Sequence, residues 1–150
     1  MSSRIELIGH RGAPRERPEN TLASFERAIA HGADAVGLDV HATADGTVVV
    51  QHDSTLRGGA PIATLSDAEL ARQPVGGDPI PTLDAVLALC AGRCVVYIEI
   101  KGRGIERAVV DRIRAHRAEC AVHSFDHRAV RAVGDLAPAL RRGILLDAYL

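Results

Sequence analysis

The sequence predicts an α/β fold built on a largely parallel sheet. Three features of its pattern of apolar and polar residues support this prediction. Short apolar runs rich in β-branched residues alternate with amphipathic stretches of helical period along the chain of 150 residues. The run at residues 94–100, CVVYIEI, is almost continuously apolar, which is typical of a parallel strand covered on both faces. Polar residues recur where such runs end, and these ends converge if the strands close into a barrel or share one edge.

The sequence predicts the following helices and strands, given in chain order. A strand at residues 4–9 leads into a polar loop, and a helix at residues 22–31 begins after Asn20 or Thr21, either of which is a favoured N-cap. The next segment is a hairpin, considered separately below. The remaining predicted elements are a short helix opened by the capping box Ser66-x-x-Glu69, helices at 82–89, 105–117 and 127–136, and strands at 94–100, 119–125 and 142–146.

Residues 35–53, AVGLDVHATADGTVVVQHD, form the predicted hairpin. Its two β-branched runs flank Asp45-Gly46, a strong signal for a tight turn. If the runs pair around that turn, positions whose numbers sum to 91 face each other, and Asp39 lies opposite His52. A carboxylate beside an imidazole at a strand end suits a metal or acid–base site; the alternative is a surface hairpin with an ion pair across it.

Composition narrows the classes of function that the chain can have. Hydrophobic residues make up 47% of the chain and charged residues 25%, which is ordinary for a globular protein, and the length predicts one domain over residues 1–150. A net charge of −1 gives no bulk attraction to nucleic acid or to an anionic membrane. The sequence shows no membrane-spanning run and no signal peptide, and its three cysteines lack metal-type spacing. Free thiols in the cytoplasm are therefore expected.

Lys101 is the only lysine among 18 basic residues. A chain that otherwise uses arginine keeps a lysine where a compact ammonium is needed, although chance is the alternative. Glu99 precedes it by two residues, so both side chains are expected on the same side of the strand.

Short motifs follow one another in fixed order through nearly all of the chain. They are His10-Arg11-Gly12, Pro18-Glu19-Asn20-Thr21, Gly32-Ala33, Asp39-Val40, Thr43, Asp45-Gly46, Val49-Val50, His52-Asp53, Pro81-Thr82-Leu83, Glu99-Ile100-Lys101 and Ser124-Phe125-Asp126. With these motifs in this order and spacing, the chain resembles the glycerophosphodiester phosphodiesterase family.

The resemblance implies a (β/α)8 barrel of the phospholipase-C-like phosphodiesterase type, with its site at the C-terminal ends of the strands. It also implies metal-dependent hydrolysis of small glycerophosphodiesters to glycerol 3-phosphate and an alcohol. All-oxygen ligation favours Mg²⁺ or Ca²⁺ over zinc. The residues implied are the acid–base pair His10 and His52, the phosphate-binding Arg11 and Lys101, the metal ligands Asp39 and Glu99, and Glu19 on a loop beside the site.

The chain departs from the family pattern at two points. Gly37 stands where the family has a metal-binding glutamate, so a member that is impaired or inactive, and binds a phosphate ligand or a protein, is the alternative function. His41 lies on the same face and either approaches the cation or is a residue of the barrel rim. In addition, the chain has about six β/α units, whereas a full barrel has eight. Self-association, a partner or further residues are then expected to cover the open barrel.

Overall fold

The computed structural model describes residues 4–147, in which an open sheet of six strands is covered by helices on one face. The strands are β1 (Ile8–His10), β2 (Ala35–Ala42), β3 (Val48–Val50), β4 (Val95–Ile100), β5 (Cys120–Ser124) and β6 (Arg141–Ile144). The helices are α1 (Leu22–Ala30), α2 (Asp67–Ala71), α3 (Leu83–Cys90), α4 (Glu106–Arg114) and α5 (His127–Leu136), with one 3₁₀ turn at Ile62–Thr64.

The sheet has the order β1-β2-β4-β5-β6, and every neighbouring pair in that order is parallel. Strand β3 runs antiparallel to the carboxyl-terminal end of β2. Strands β1 and β6 end the order without pairing to each other, so the sheet is not closed. This confirms the predicted α/β fold and the incomplete barrel; five of the six strands follow the parallel order, and β3 is the antiparallel addition.

The hydrophobic core lies between the sheet and its helices. Alternate residues of the central strands, among them Val36 and Ile98, are fully buried there. They pack against Phe25 of α1 and Leu87 of α3, which are also fully buried. Since side chains alternate along a strand, the residues between them project to the opposite face of the sheet. That opposite face carries the polar residues of β2 and β4.

Local side chains explain where the helices begin. Thr21, and not Asn20, caps α1: its hydroxyl accepts a hydrogen bond from the backbone of Ser24. The capping box predicted at Ser66 and Glu69 is present at the start of α2. Asn20 is thereby free to take part in the site described below.

The predicted register of the hairpin is wrong by one residue. Val40 pairs with Val50 and Ala42 with Val48, so facing positions sum to 90. The loop closes with Thr43, whose amide donates to the carbonyl of Thr47, and leaves three residues at the tip. Gly46 there has φ +85°, as expected for a three-residue loop with a left-handed glycine. Asp39 consequently faces Gln51 rather than His52.

Other predicted ends shift by a few residues. Strand β1 begins at Ile8 and not at residue 4, because residues 4–7 make no strand pairing, and β6 begins one residue earlier than predicted. The three cysteines are free thiols, as expected. Within residues 4–147 no helix is long and apolar enough to cross a membrane.

Candidate active site

The carboxyl-terminal ends of the parallel strands bring the predicted site residues to one edge of the sheet. Asp39 of β2 lies opposite Glu99 of β4, which lies opposite His123 of β5. On the other side of β2, Gly37 pairs with His10 of β1. These positions share the face that the helices do not cover, so four neighbouring strands contribute to one surface.

Asp39 is the most buried acidic group at this edge, with 2% of its surface exposed. Its Oδ2 atom accepts a hydrogen bond of 3.0 Å from the amide of Asn20 and lies 3.4 Å from Nε of Arg11. A buried carboxylate needs such partners, because an uncompensated charge away from water is costly. The sequence interpretation named Asn20 as a candidate helix cap and as part of the Pro18–Thr21 motif, but gave it no role in the site. Asn20 lies directly before the Thr21 cap, in the turn that follows Arg11. This position is the signal that could have revealed its contact with Asp39.

Arg11 bridges two acidic residues. Its Nη1 atom donates to Oε2 of Glu19 at 2.9 Å, and its Nε atom faces Asp39. The backbone of Arg11 has φ +58°, an uncommon conformation for a residue with a side chain, and its amide donates to the carbonyl of Gly37 at 2.8 Å. Glu19, predicted on a loop beside the site, is therefore in contact with a site residue. Its carboxylate is partly exposed.

Glu99 and Lys101 are side by side, as their spacing in β4 predicts. The ammonium of Lys101 lies 2.6 Å from Oε2 of Glu99, in an ionic contact whose angles are not those of a hydrogen bond. That oxygen is buried and makes no hydrogen bond within residues 4–147. The ammonium also lies 5.7 Å from the ring centre of Phe125, a cation–π distance. The only lysine of the chain thus belongs to this edge of the sheet.

His52 follows β3, and one hydrogen bond holds its ring while another holds its backbone carbonyl. Its Nδ1 atom donates to Oδ1 of Asp53 at 2.7 Å. Its carbonyl accepts a 3.0 Å hydrogen bond from Nε2 of His41, which must therefore carry the proton. Burial lowers the pKa of His41, which favours the neutral form of its imidazole. A cleft of about 530 Å³ is lined by His41, His52 and Lys101.

His10 ends β1 with an exposed imidazole that makes no hydrogen bond within residues 4–147. It lies beside Gly37, where a Cβ atom would be 3.9 Å from Nδ1 of His10. His123 of β5 is half-buried on the site face. Burial lowers its pKa, and it interacts electrostatically with Glu99, Asp39, His10 and Lys101.

The described residues offer two oxygen ligands for a cation, Asp39 and Glu99. No group of three or more histidine, cysteine, aspartate or glutamate side chains within residues 4–147 is placed to hold a metal ion. Two carboxylates still fit Mg²⁺, which keeps several waters and takes one or two carboxylates together with phosphate oxygens of its substrate. Oε2 of Glu99, which is buried beside the ammonium of Lys101 and makes no hydrogen bond within residues 4–147, is consistent with such a role. His41 is directed at the backbone of His52.

Two imidazoles, a guanidinium, an ammonium and two carboxylates on adjoining strand ends define a β/α-barrel type of protein whose site suits an anionic phosphate group. The model of the glycerophosphoryl diester phosphodiesterase family matches residues 10–149. The chain therefore belongs to the glycerophosphoryl diester phosphodiesterase family.

Individual relatives agree with this assignment. A glycerophosphodiester phosphodiesterase of Caldanaerobacter subterraneus subsp. tengcongensis is 35% identical over 96% of this chain and 68% of that protein. The crystal structure of a glycerophosphodiester phosphodiesterase from Agrobacterium tumefaciens is 33% identical, with a TM-score of 0.86, over 93% of this chain and 66% of that one. The structure of a phosphodiesterase from Oleispira antarctica, in complex with the product sn-glycerol-3-phosphate, is 28% identical with a TM-score of 0.89, over 96% and 67%. The chain thus spans about two thirds of the length of these relatives.

Proposed function

We propose that the chain hydrolyses small glycerophosphodiesters to glycerol 3-phosphate and an alcohol, with the help of a divalent cation. The observation that carries this proposal is the convergence of His10, Arg11, Asp39, Glu99 and Lys101 at the carboxyl-terminal edge of one sheet. His52 lines the cleft that this edge shares with Lys101. The product complex of the Oleispira antarctica relative supports a small-molecule substrate.

His10 and His52 are the proposed acid–base pair. Hydrolysis of a phosphodiester requires that one group remove a proton from the attacking oxygen while another gives a proton to the departing alkoxide. Asp53 holds the proton of His52 on Nδ1 and leaves Nε2 for proton exchange. The exposed ring of His10 can take the second role from the opposite side of the sheet edge.

Arg11 and Lys101 are the proposed phosphate-binding residues. Negative charge grows on the phosphate oxygens in the transition state, and fixed cations stabilise it. Both cations are held by carboxylates, Lys101 by Glu99 and Arg11 by Asp39 and Glu19. Their positions are thus set before substrate arrives. A divalent cation at Asp39 and Glu99 would polarise the phosphate when bound.

The test is release of glycerol 3-phosphate from glycerophosphocholine at millimolar Mg²⁺ or Ca²⁺, compared with the His10→Ala variant. We expect turnover that EDTA and His10→Ala both abolish, because each removes a group that the reaction requires. Turnover of the wild-type chain no higher than that of His10→Ala, with either cation, would refute the proposal.

A second function is favoured by Gly37, since the site has two carboxylates in place of three. In this alternative the chain binds a phosphate ligand or a protein without turning it over. Calorimetric binding of sn-glycerol 3-phosphate by a chain without turnover would support it. An active wild-type chain excludes it.

We also propose that the open sheet is covered in solution by self-association. Strand β6 is exposed along its whole length, and Ile144 within it exposes 54% of its surface. Near the other edge Ile5 and Leu7 expose 81% and 59%. Unpaired strand edges that carry apolar side chains favour pairing with another chain.

A further inference from the structure

A second cavity adjoins the cleft of the proposed active site. It has a volume of about 520 Å³ and lies between the segment that follows His52 and the loop at residues 73–76. Asp53 and Thr55 line both the cavity and the cleft, so the two spaces adjoin at these residues. A substrate whose phosphate lies beside His52 and Lys101 can therefore extend one ester substituent into this cavity.

The far wall of the cavity is anchored to the same turn that supports Arg11. Gly76 has φ +56°, and a Cβ atom there would lie 2.6 Å from Cγ of Pro18. Pro18 immediately precedes Glu19, the carboxylate that holds the guanidinium of Arg11. The loop is also closed by hydrogen bonds in both directions between the backbones of Val75 and Asp78. This wall of the cavity therefore packs against the turn that carries Glu19.

The lining of the cavity is half polar and half apolar, and its two charged residues differ: the carboxylate of Asp53 is paired with His52, whereas the guanidinium of Arg57 has no such partner within residues 4–147. Gln51 and Gln73 offer amide groups, and the exposed Arg57 forms no ion pair within residues 4–147. Among residues 4–147 no aromatic side chain lines the cavity, whereas sites for organic ammonium groups are typically built from aromatic faces. A free guanidinium with neighbouring amides instead matches a carboxylate, which it can bind through two parallel hydrogen bonds.

We propose that this cavity binds the alcohol moiety of the substrate and favours alcohols that carry a carboxylate, with Arg57 as the residue that determines the preference. The inference rests on the proposed hydrolysis, because it assigns the phosphate to the adjoining cleft. The glycerol moiety is neutral and gains little from a guanidinium, so the charged partner of Arg57 belongs to the alcohol.

The test compares two substrates that differ only by the carboxylate, glycerophosphoserine and glycerophosphoethanolamine. We expect kcat/KM for glycerophosphoserine to exceed that for glycerophosphoethanolamine by about tenfold, since charge-assisted hydrogen bonds to a guanidinium are strong but this one is open to solvent. Arg57→Gln should remove the preference, and Arg107→Gln, an exposed arginine on α4, should retain it. Calorimetric binding of both compounds to each variant gives a second readout.

The possible results separate the two proposals. Equal kcat/KM for the two substrates in the wild-type chain, or an equal loss for both in Arg57→Gln, would overturn the assignment of the cavity. Absence of turnover together with tighter binding of glycerophosphoserine that depends on Arg57 would reject hydrolysis and retain the cavity. Absence of both turnover and selective binding would reject both.

Discussion

Replacing Gly37 with glutamate restores the carboxylate that the family pattern places on β2. The structure has room for it: a Cβ atom at residue 37 would lie 3.8 Å from Cγ2 of Ile8 and 3.9 Å from Nδ1 of His10, both ordinary contacts. The new side chain projects from the same face as Asp39, because residues two apart in a strand point the same way. We expect Gly37→Glu to bind Mg²⁺ more tightly than the wild-type chain.

The size of the gain follows from the charges. Two unit charges 4 Å apart attract by about 1 kcal/mol in a medium as polar as water, so a carboxylate and a divalent cation attract by about 2 kcal/mol. The water value is the smallest gain to expect, because Asp39 on the same face is only 2% exposed and a less polar surrounding strengthens the attraction. A gain of about 2 kcal/mol lowers the Kd for Mg²⁺ by about thirtyfold. Without a cation, the added charge repels Asp39 and should lower the melting temperature.

Calorimetric titration with Mg²⁺ measures the affinity, and melting with and without Mg²⁺ measures the stability. Gly37→Gln is the matched control, since it has nearly the shape of glutamate without its charge. If Gly37→Glu and Gly37→Gln bind Mg²⁺ equally, residue 37 does not contribute to a cation site, and the account of the missing ligand is wrong. If the gain in affinity accompanies a gain in turnover, the missing carboxylate also limits the reaction.

Three further predictions concern stability and size. Asn20→Ala should lower the free energy of unfolding by about 1–3 kcal/mol, because it leaves the buried Asp39 with one hydrogen-bond donor fewer. Urea denaturation measures this loss, and an unchanged free energy of unfolding would show that the hydrogen bond is unimportant. Burial raises the pKa of the Cys120 thiol from 9.0 to about 11, so the folded chain retains a proton that the unfolded chain releases between these values. This stabilisation is complete below pH 9 and is lost as the pH rises to about 11. Denaturation curves should therefore show that the free energy of unfolding falls less steeply with alkaline pH in Cys120→Ala than in the wild-type chain. Identical slopes in the two proteins would contradict the role of Cys120. Light scattering should give a mass above the 15.9 kDa of one chain, whereas a stable monomer would contradict self-association.

The sequence predicts the parallel sheet well because it depends on strong, local patterns. The run in β4 and the amphipathic helix α1 are both read directly from the spacing of apolar residues. The side-by-side placement of Glu99 and Lys101 likewise follows from the alternation of side chains along a strand. These features need no knowledge of distant contacts.

The hairpin register could not be predicted in the same way, because distant contacts set it. The hydroxyls of Thr43 and Thr47 both donate to the carboxylate of Asp67, and Asp45 accepts from the backbone amide of Asp67. These three contacts hold a three-residue loop in place of a two-residue turn. Since Asp67 lies about twenty positions further along the chain, the local signal at Asp45-Gly46 indicated the turn but not its length.

The role of Asn20 was missed for a related reason. An asparagine before a helix is an ordinary cap, and its contact with Asp39 is visible only when α1 and β2 are folded together. The place of His123 on the site face is likewise visible only in the folded sheet, because the strand pattern alone does not say which face is covered by helices. The roles proposed for the site residues stay predictions until they are tested.

The opening between β1 and β6 leaves the outer parts of the sheet, His10 and strand β6, in contact with bulk solvent. The effective dielectric constant at the site is then higher than inside a closed barrel, and dissolved ions reach its charges. Contacts such as that between Lys101 and Glu99 should accordingly weaken as ionic strength rises. Covering this opening would strengthen the attraction between the opposite charges already in place without changing a single side chain.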